Sequence, residues 1–432
     1  VCVPSRMTIM TGQHPLTHGM LGNGKSSNIL GSTDTLPWHM RRLGYQTLAV
    51  GKMHFHPQRA RHGFDEMKLC EDYYNEMLAS GQGLLPMRHG MHQCELEPAM
   101  ATVPESMTLT SWTAEQCVQF IRERRDPTVP FFVWCSFSKP HPPFDPPEPY
   151  YSMYRNCDIP APVFGDWSEP GQMPHQFRET MLGQHYDLIT PEVIREARSA
   201  YYGLITQIDY NMGRIFAALQ DMGLMQDAMI VYTSDHGEYL GDHHAGGKGF
   251  FHEPSAHVPF AMRLPQSWDD RRHGTQCDAP VTLSDVMPTI LAAAGGDVPD
   301  SCDGVNLVDV ARGKRESRPY VLHASGRKGQ GTLGVFDGRY KYSYYAIGGV
   351  EHLFDLEADP METRNLAGHD DVADKQAELR GFVIDEARRR CPEYLDGEKL
   401  VVHPVPERSD ADIRNNRWLG AHTEYCDIDV RH

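Results

Sequence analysis

The sequence predicts an α/β fold, a large and mostly parallel sheet sandwiched by helices, with a smaller C-terminal α+β domain made of an antiparallel sheet plus a helix. Three observations carry this. Helix-period and strand-like segments alternate through residues 35–294. The strand-like segments are continuous apolar runs, as strands covered on both faces require. After about residue 315 the texture changes to short strands joined by Gly-containing turns. At 432 residues the chain also exceeds what one hydrophobic core usually serves.

In chain order, Thr35–Leu43 suits a short helix and Tyr45–Val50 a strand ended by Gly51. Thr113–Arg125 has helical spacing, and Phe131–Phe137 follows as a strand. Pro191–Gly223 is the longest helical pattern, with Ile194, Ala197, Tyr201, Leu204, Ile208, Met212, Ile215 and Leu219 on one face and Gly223 as its cap. Ala228–Thr233 reads as a buried strand ending at Ser234, Asp235 and His236, and chemistry in such sheets gathers at strand carboxyl ends. Thr282–Ala294 is a helix closed by Gly295 and Gly296. Tyr320–Leu322, Thr332–Phe336, Tyr340–Tyr345 and His352–Asp355 are short strands, and Lys375–Arg390 is a helix. The expected division is a catalytic α/β domain over 1–315, a small α+β domain over 316–390, and a 391–432 tail packed on the domain or a neighbouring subunit.

Composition narrows the partners. A net charge of −17 argues against nucleic acid or an anionic membrane, both of which need a basic face. The apolar run Phe131–Phe137 is far too short to cross a bilayer. Ten cysteines without a CxxC pair or zinc-ribbon spacing read mostly as buried thiols. That pattern favours a cytoplasmic setting over a periplasmic or secreted one.

The chemistry-bearing residues come in ordered blocks. The chain opens Cys2-Val3-Pro4-Ser5-Arg6, with Met10-Thr11-Gly12 after it. Gly44-Tyr45-Gln46-Thr47 leads to Gly51-Lys52-Met53-His54. Lys139-Pro140-His141 and Thr233-Ser234-Asp235-His236-Gly237 each follow a strand, and Lys248 lies in Gly246-Gly247-Lys248-Gly249. Leu353-Phe354-Asp355-Leu356, Asp359-Pro360, Glu362 and Asn365-Leu366 close the series. In this order, to about residue 390, the blocks resemble the sulfatase family, formylglycine-dependent enzymes of the alkaline phosphatase superfamily.

The resemblance implies a sulfuric ester hydrolase that splits a sulfate ester into an alcohol and inorganic sulfate. Sulfate ester hydrolysis gathers negative charge on the sulfate oxygens and the leaving alkoxide, which preorganised cations stabilise. Arg6, Lys52 and Lys248 can supply them, and His54 and His141 can donate protons or hydrogen bonds. A thiolate at Cys2 would leave a stable S-sulfonate and stall. By resemblance, Cys2 is instead oxidised to formylglycine, whose hydrate attacks sulfur with one hydroxyl and expels sulfate through the other. Pro4 and Arg6 belong to the tag read by a formylglycine-generating maturation enzyme, a transient partner. Cys2, Asp235 and His236 are the implied ligands of a divalent metal, calcium by family habit, with magnesium or manganese as alternatives. A homo-oligomer is compatible with the reading.

Several features keep alternatives open. Many arylsulfatases place Asn after the metal-binding Asp, whereas phosphonate monoester hydrolases place His, as His236 does here. Imidazole also suits a transition metal better than an amide does. A phosphonate monoester or phosphodiester hydrolase is therefore one alternative, and a non-catalytic binding protein, unmatured or metal-free, another. Lys139 is a cation with no implied role, and Asn23 reads as a turn residue. His56, His62, His89, His92, His243 and His244 read as surface or supporting residues. Phe64–Ser106 and Phe144–Tyr186 are expected to contact the alcohol half of the substrate. The family's paired metal-binding aspartates precede the nucleophile. The polypeptide is therefore expected to extend upstream of Val1, or to receive that strand from a separate chain.

Overall fold

A computed structural model describes residues 1–23, 34–81, 96, 98–169, 171–268, 274–316 and 318–415. Its first element is the helix Cys2–Thr11, which ends at Gly12 with φ of 66° and the Gly12 N–H bonded to the Thr8 carbonyl. A Cβ at Gly12 would lie 2.3 Å from Cys302 Sγ, so glycine is required by space as well as by conformation.

The central sheet runs in the order β2 (Glu66–Leu69), β1 (Gln46–Gly51), β3 (Phe131–Ser136), all parallel. Alternate residues of β1 point to opposite faces. Leu48 and Val50 pack with Cys117, Phe120, Ile121, Ala218 and Leu219 of the Leu109–Arg124 and Pro191–Asp221 helical segments. Ala49 packs with Val3, Met7 and Met10 of the first helix. Helices thus cover both faces, as the apolar runs predict.

Register places the site. Gly51 pairs with Ser136, and the Lys52 N–H donates to the Ser136 carbonyl at 2.9 Å. Gly51 has φ of 87°, and a Cβ there would sit 2.0 Å from the Ser136 oxygen. Glycine therefore lets β1 and β3 end side by side, presenting Lys52 and Ser136 at the carboxyl end of the sheet.

Some boundaries differ from expectation. The helix expected over Thr113–Arg125 begins at Leu109, where the Thr108 hydroxyl accepts the Ser111 N–H, and its last turn, Phe120–Arg124, is a π-helix. β4 (Ile230–Thr233), read as buried, is half-buried, with Tyr232 42% exposed. The reason is its pairing: among the described residues it joins only β5 (Phe260–Arg263), antiparallel, and β3 joins only β1.

The C-terminal sheet is a four-stranded antiparallel meander, β6 (Val321–Ser325), β7 (Thr332–Phe336), β8 (Tyr340–Tyr345) and β9 (Val350–Asp355). Its apolar face, including Leu333, Val335, Tyr342 and Leu353, meets Leu379, Val383 and Ala387 of the helix Ala373–Arg390. Leu16 and Leu21 join the same cluster. The tail is more structured than its lack of periodicity suggests. It forms a hairpin of Leu395–Asp396 with Lys399–Leu400, then a helix at Asp410–Asn415 held by the Arg178–Asp410 and Arg414–Asp187 ion pairs. Residues 416–432, His89, His92 and most of 82–97 lie outside the described residues.

His62 and His243 are buried rather than on the surface. His243 belongs to a cluster around Trp167, whose ring centroid lies 4.7 Å from that of His243, 4.3 Å from that of His252 and 4.8 Å from that of His352. Burial pushes His243 down to about 4 and His352 to about 3, and holds His252 well below its usual range. In acid the unfolded chain takes up protons these imidazoles refuse, so their contribution is present above about pH 6.5 and falls as pH drops toward 4. The unfolding free energy from urea titration is expected to fall between about pH 7 and about pH 5, by up to about 1.4 kcal/mol per pH unit for each histidine. The His352→Phe variant should show a smaller fall, and an equal one in both proteins would refute the assignment.

Candidate active site

The site gathers at the carboxyl ends of the strands, where open α/β sheets collect ligands. Cys2 is the first residue of its helix and is 1% exposed. Its Sγ lies 3.1 Å from His236 Nε2. Burial opposes ionisation, but Lys248, His236 and Lys52 together hold the thiol well below its usual range.

Arg6 follows one helical turn later on the same face. Its Nε donates to Asp235 Oδ2 at 2.8 Å, and its Nη1 donates to the Lys52 carbonyl at 2.5 Å and to Ser136 Oγ at 2.9 Å. One guanidinium thereby ties the first helix to β1, β3 and the segment after β4. Burial would raise the Asp235 carboxyl, yet the Arg6 charge keeps it well below the usual carboxylate range. Arg6 occupies Oδ2, leaving Oδ1 3.7 Å from His236 Nε2.

Lys248 Nζ lies 3.1 Å from His141 Nε2, and His141 Nδ1 lies 2.9 Å from the Pro142 carbonyl. An ammonium only donates, so Nε2 accepts and Nδ1–H donates to Pro142. That is the neutral tautomer, consistent with burial, Lys248 and Lys52 pushing this imidazole well down. His141, Lys248 and Lys52 lie close enough to Cys2 for charge to act between them. Contacts therefore link Cys2, His236, Asp235, Arg6 and the Lys52 carbonyl, and the His141–Lys248 pair lies within electrostatic reach of Cys2, all drawn from separate segments. His54 is buried two residues after Lys52, with φ of 59°.

The donor set suits a cation. Cys2 Sγ, an Asp235 carboxylate oxygen and a His236 ring nitrogen all lie within 4.8 Å of one another, so one ion can touch all three. A cavity of about 70 Å³ lies beside Lys52 and His141, walled by Cys70, Tyr73, Tyr74, Val103 and Leu204.

Three further residues escape sequence reading. Ser136 bonds Arg6, and the only signal for it is its place at the end of a strand. Glu238 accepts the Gly247 N–H beside Lys248, and its charge bears on both Lys248 and His236. Asp145 pairs with Lys139, for which the spacing offers no signal. Asn23 Oδ1 accepts the Val3 N–H at 3.0 Å, which ties it to the start of the first helix.

Clustered cations, a metal-type donor set and a buried cysteine beyond the strand ends fit one class, the metal-assisted hydrolases of tetrahedral oxyanion esters. Comparison with known proteins narrows this. The sulfatase family model matches residues 1–296, and a model of the C-terminal part of N-sulphoglucosamine sulphohydrolase matches residues 241–389. The arylsulfatase of Clostridium perfringens is 31% identical over 94% of this chain and 88% of its own. The choline-sulfatase of Rhizobium meliloti is 30% identical over 88% of this chain and 76% of its own. A phosphonate monoester hydrolase from Silicibacter pomeroyi shares the fold with a TM-score of 0.75 at 24% identity, covering 90% of this chain and 86% of that one. The chain belongs to the sulfatase family, and with it to the sulfuric ester hydrolases.

Proposed function

We propose that this protein hydrolyses a sulfate ester with a formylglycine nucleophile made from Cys2 and a divalent cation held at Cys2, Asp235 and His236. The observation that carries the reading is the convergence of Arg6, Lys52, Lys248 and the three-ligand cluster on one buried cysteine. Formylglycine, as its hydrate, would supply a hydroxyl to attack sulfur and a second whose deprotonation releases sulfate. The cation would polarise that hydroxyl and offset charge on the sulfate oxygens.

The chain's own residues do the rest. Lys52 and Lys248 face the anion, while Arg6 holds Asp235 ionised and oriented for the cation. His141, neutral and held against Lys248, is assigned the passage of a proton to or from the nucleophile. The cavity walled by Tyr73 and Tyr74 supports placing a small alcohol group beside Lys52, within the expected Phe64–Ser106 region. His54, buried two residues after Lys52, is assigned as a proton or hydrogen-bond donor.

A phosphonate monoester is the second reading, favoured by one observation. An imidazole, His236, stands in the ligand cluster next to Asp235. Parallel kinetics on an aryl sulfate and the matched aryl phosphonate decide between them. A higher specificity constant is expected for the sulfate, and the reverse order would transfer the assignment to the phosphonate. Mass spectrometry of the Cys2 peptide from the native source should show the aldehyde or its hydrate. An untouched thiol there would support a non-catalytic binding protein instead.

A further inference from the structure

We propose that Lys139 and Asp145 form a clamp that positions His141, so that Lys139 serves the reaction through His141 rather than by touching the ester. The proposal rests on the reading of the site given above and deepens it. His141 is carried by Lys139-Pro140-His141-Pro142-Pro143, in which three residues have no N–H to donate. Such a segment has little backbone hydrogen bonding with which to brace itself. The His141 N–H reaches the Ser138 carbonyl at a long 3.3 Å.

The brace comes from a side chain. Lys139 Nζ donates to the Pro143 carbonyl at 2.5 Å and to the Asp145 carboxylate. The lysine thus starts before His141 and grips the backbone on the far side of it, closing the loop. The Lys139 and Asp145 side chains are only 16% and 9% exposed, so their pairing is shielded from water. Asp145 neutralises the ammonium, and two of its three donors are bound to protein. In this Lys139 differs from Lys248, whose Nζ lies against His141 itself. Lys139 and His141 also line one wall of the same cavity, so a slack loop would displace the imidazole into it.

The consequence is one of geometry. His141 Nε2 must stay within reach of Lys248 Nζ, from which it now lies 3.1 Å. A displacement of about 1 Å at such a position can cost on the order of a hundredfold in rate. Lys139→Met should lower kcat about tenfold to a hundredfold and leave KM within about threefold, because anion binding by Arg6, Lys52 and Lys248 is untouched. In a His141→Ala background the same substitution should change kcat by less than about threefold, since residues acting through one another are not additive.

The double variant Lys139→Met/Asp145→Leu removes both charges, leaving neither buried and unpaired. It should fold with a near-native urea midpoint and show the same kcat loss. Rates are read on whichever of aryl sulfate and aryl phosphonate the parent turns over. An equal loss with and without His141 would overturn the clamp, as would a double variant with the parental kcat. A parent that turns over neither ester sinks the proposed function and not this inference, which is then decided by the crystal structure of the double variant. His141 Nε2 found beyond hydrogen-bond distance of Lys248 Nζ would uphold the clamp, and His141 unmoved would overturn it.

Discussion

Cys2→Ala is expected to abolish turnover, lowering kcat on the order of 10⁴-fold or more, while the protein still folds. The side chain is 1% exposed, lies against His236 and feels the charges of Lys248 and Lys52. Alanine removes one sulfur atom and leaves the Arg6 bonds to Asp235, Lys52 and Ser136 intact. The loss should therefore appear in kcat and not in the thermal midpoint. The check is a rate on aryl sulfate beside a melting curve for the same preparation. A variant that keeps more than about a hundredth of the parental rate would show that another group attacks sulfur.

Lys248→Ala is expected to cost about 2–4 kcal/mol of transition-state stabilisation, the scale of losing one preorganised donor. Lys248 is the largest charge acting to hold the Cys2 thiol low, and its Nζ meets His141 Nε2. In the proposed mechanism, removing it takes away a cation assigned to the anion and a hydrogen-bond donor to His141. The loss should appear in kcat/KM with aryl sulfate. A change in KM alone would mean that Lys248 binds the ester equally in its ground and transition states. Near-parental kcat/KM would remove it from the mechanism.

Much of the fold is legible from local pattern. β7 and β8 run over the expected residues, because each is a short strand bounded by a turn whose chemistry lies in neighbouring positions. The Pro191–Asp221 helix follows from its apolar stripe and Gly223 beyond its end, and the structure adds the Thr190 side chain as its N-cap. The site residues were legible in another way, as ordered blocks whose residue types suit an anion and a cation. None of those blocks states which atoms meet.

The sequence by itself determined the fold class, the order of most elements and the residue types available for oxyanion chemistry. These depend on periodicity, capping and composition, which act over a few neighbouring residues. Tertiary structure alone decided the rest. It bound Arg6 to Asp235, Lys52 and Ser136, set His236 against Cys2, and left β4 half-exposed beside β5. It also paired Lys139 with Asp145, folded the tail onto Arg178 and Asp187, and buried three histidines around Trp167. The physical reason is range. A charge or a ring finds its partner through the packing of segments far apart in the chain, and no local pattern encodes that distance.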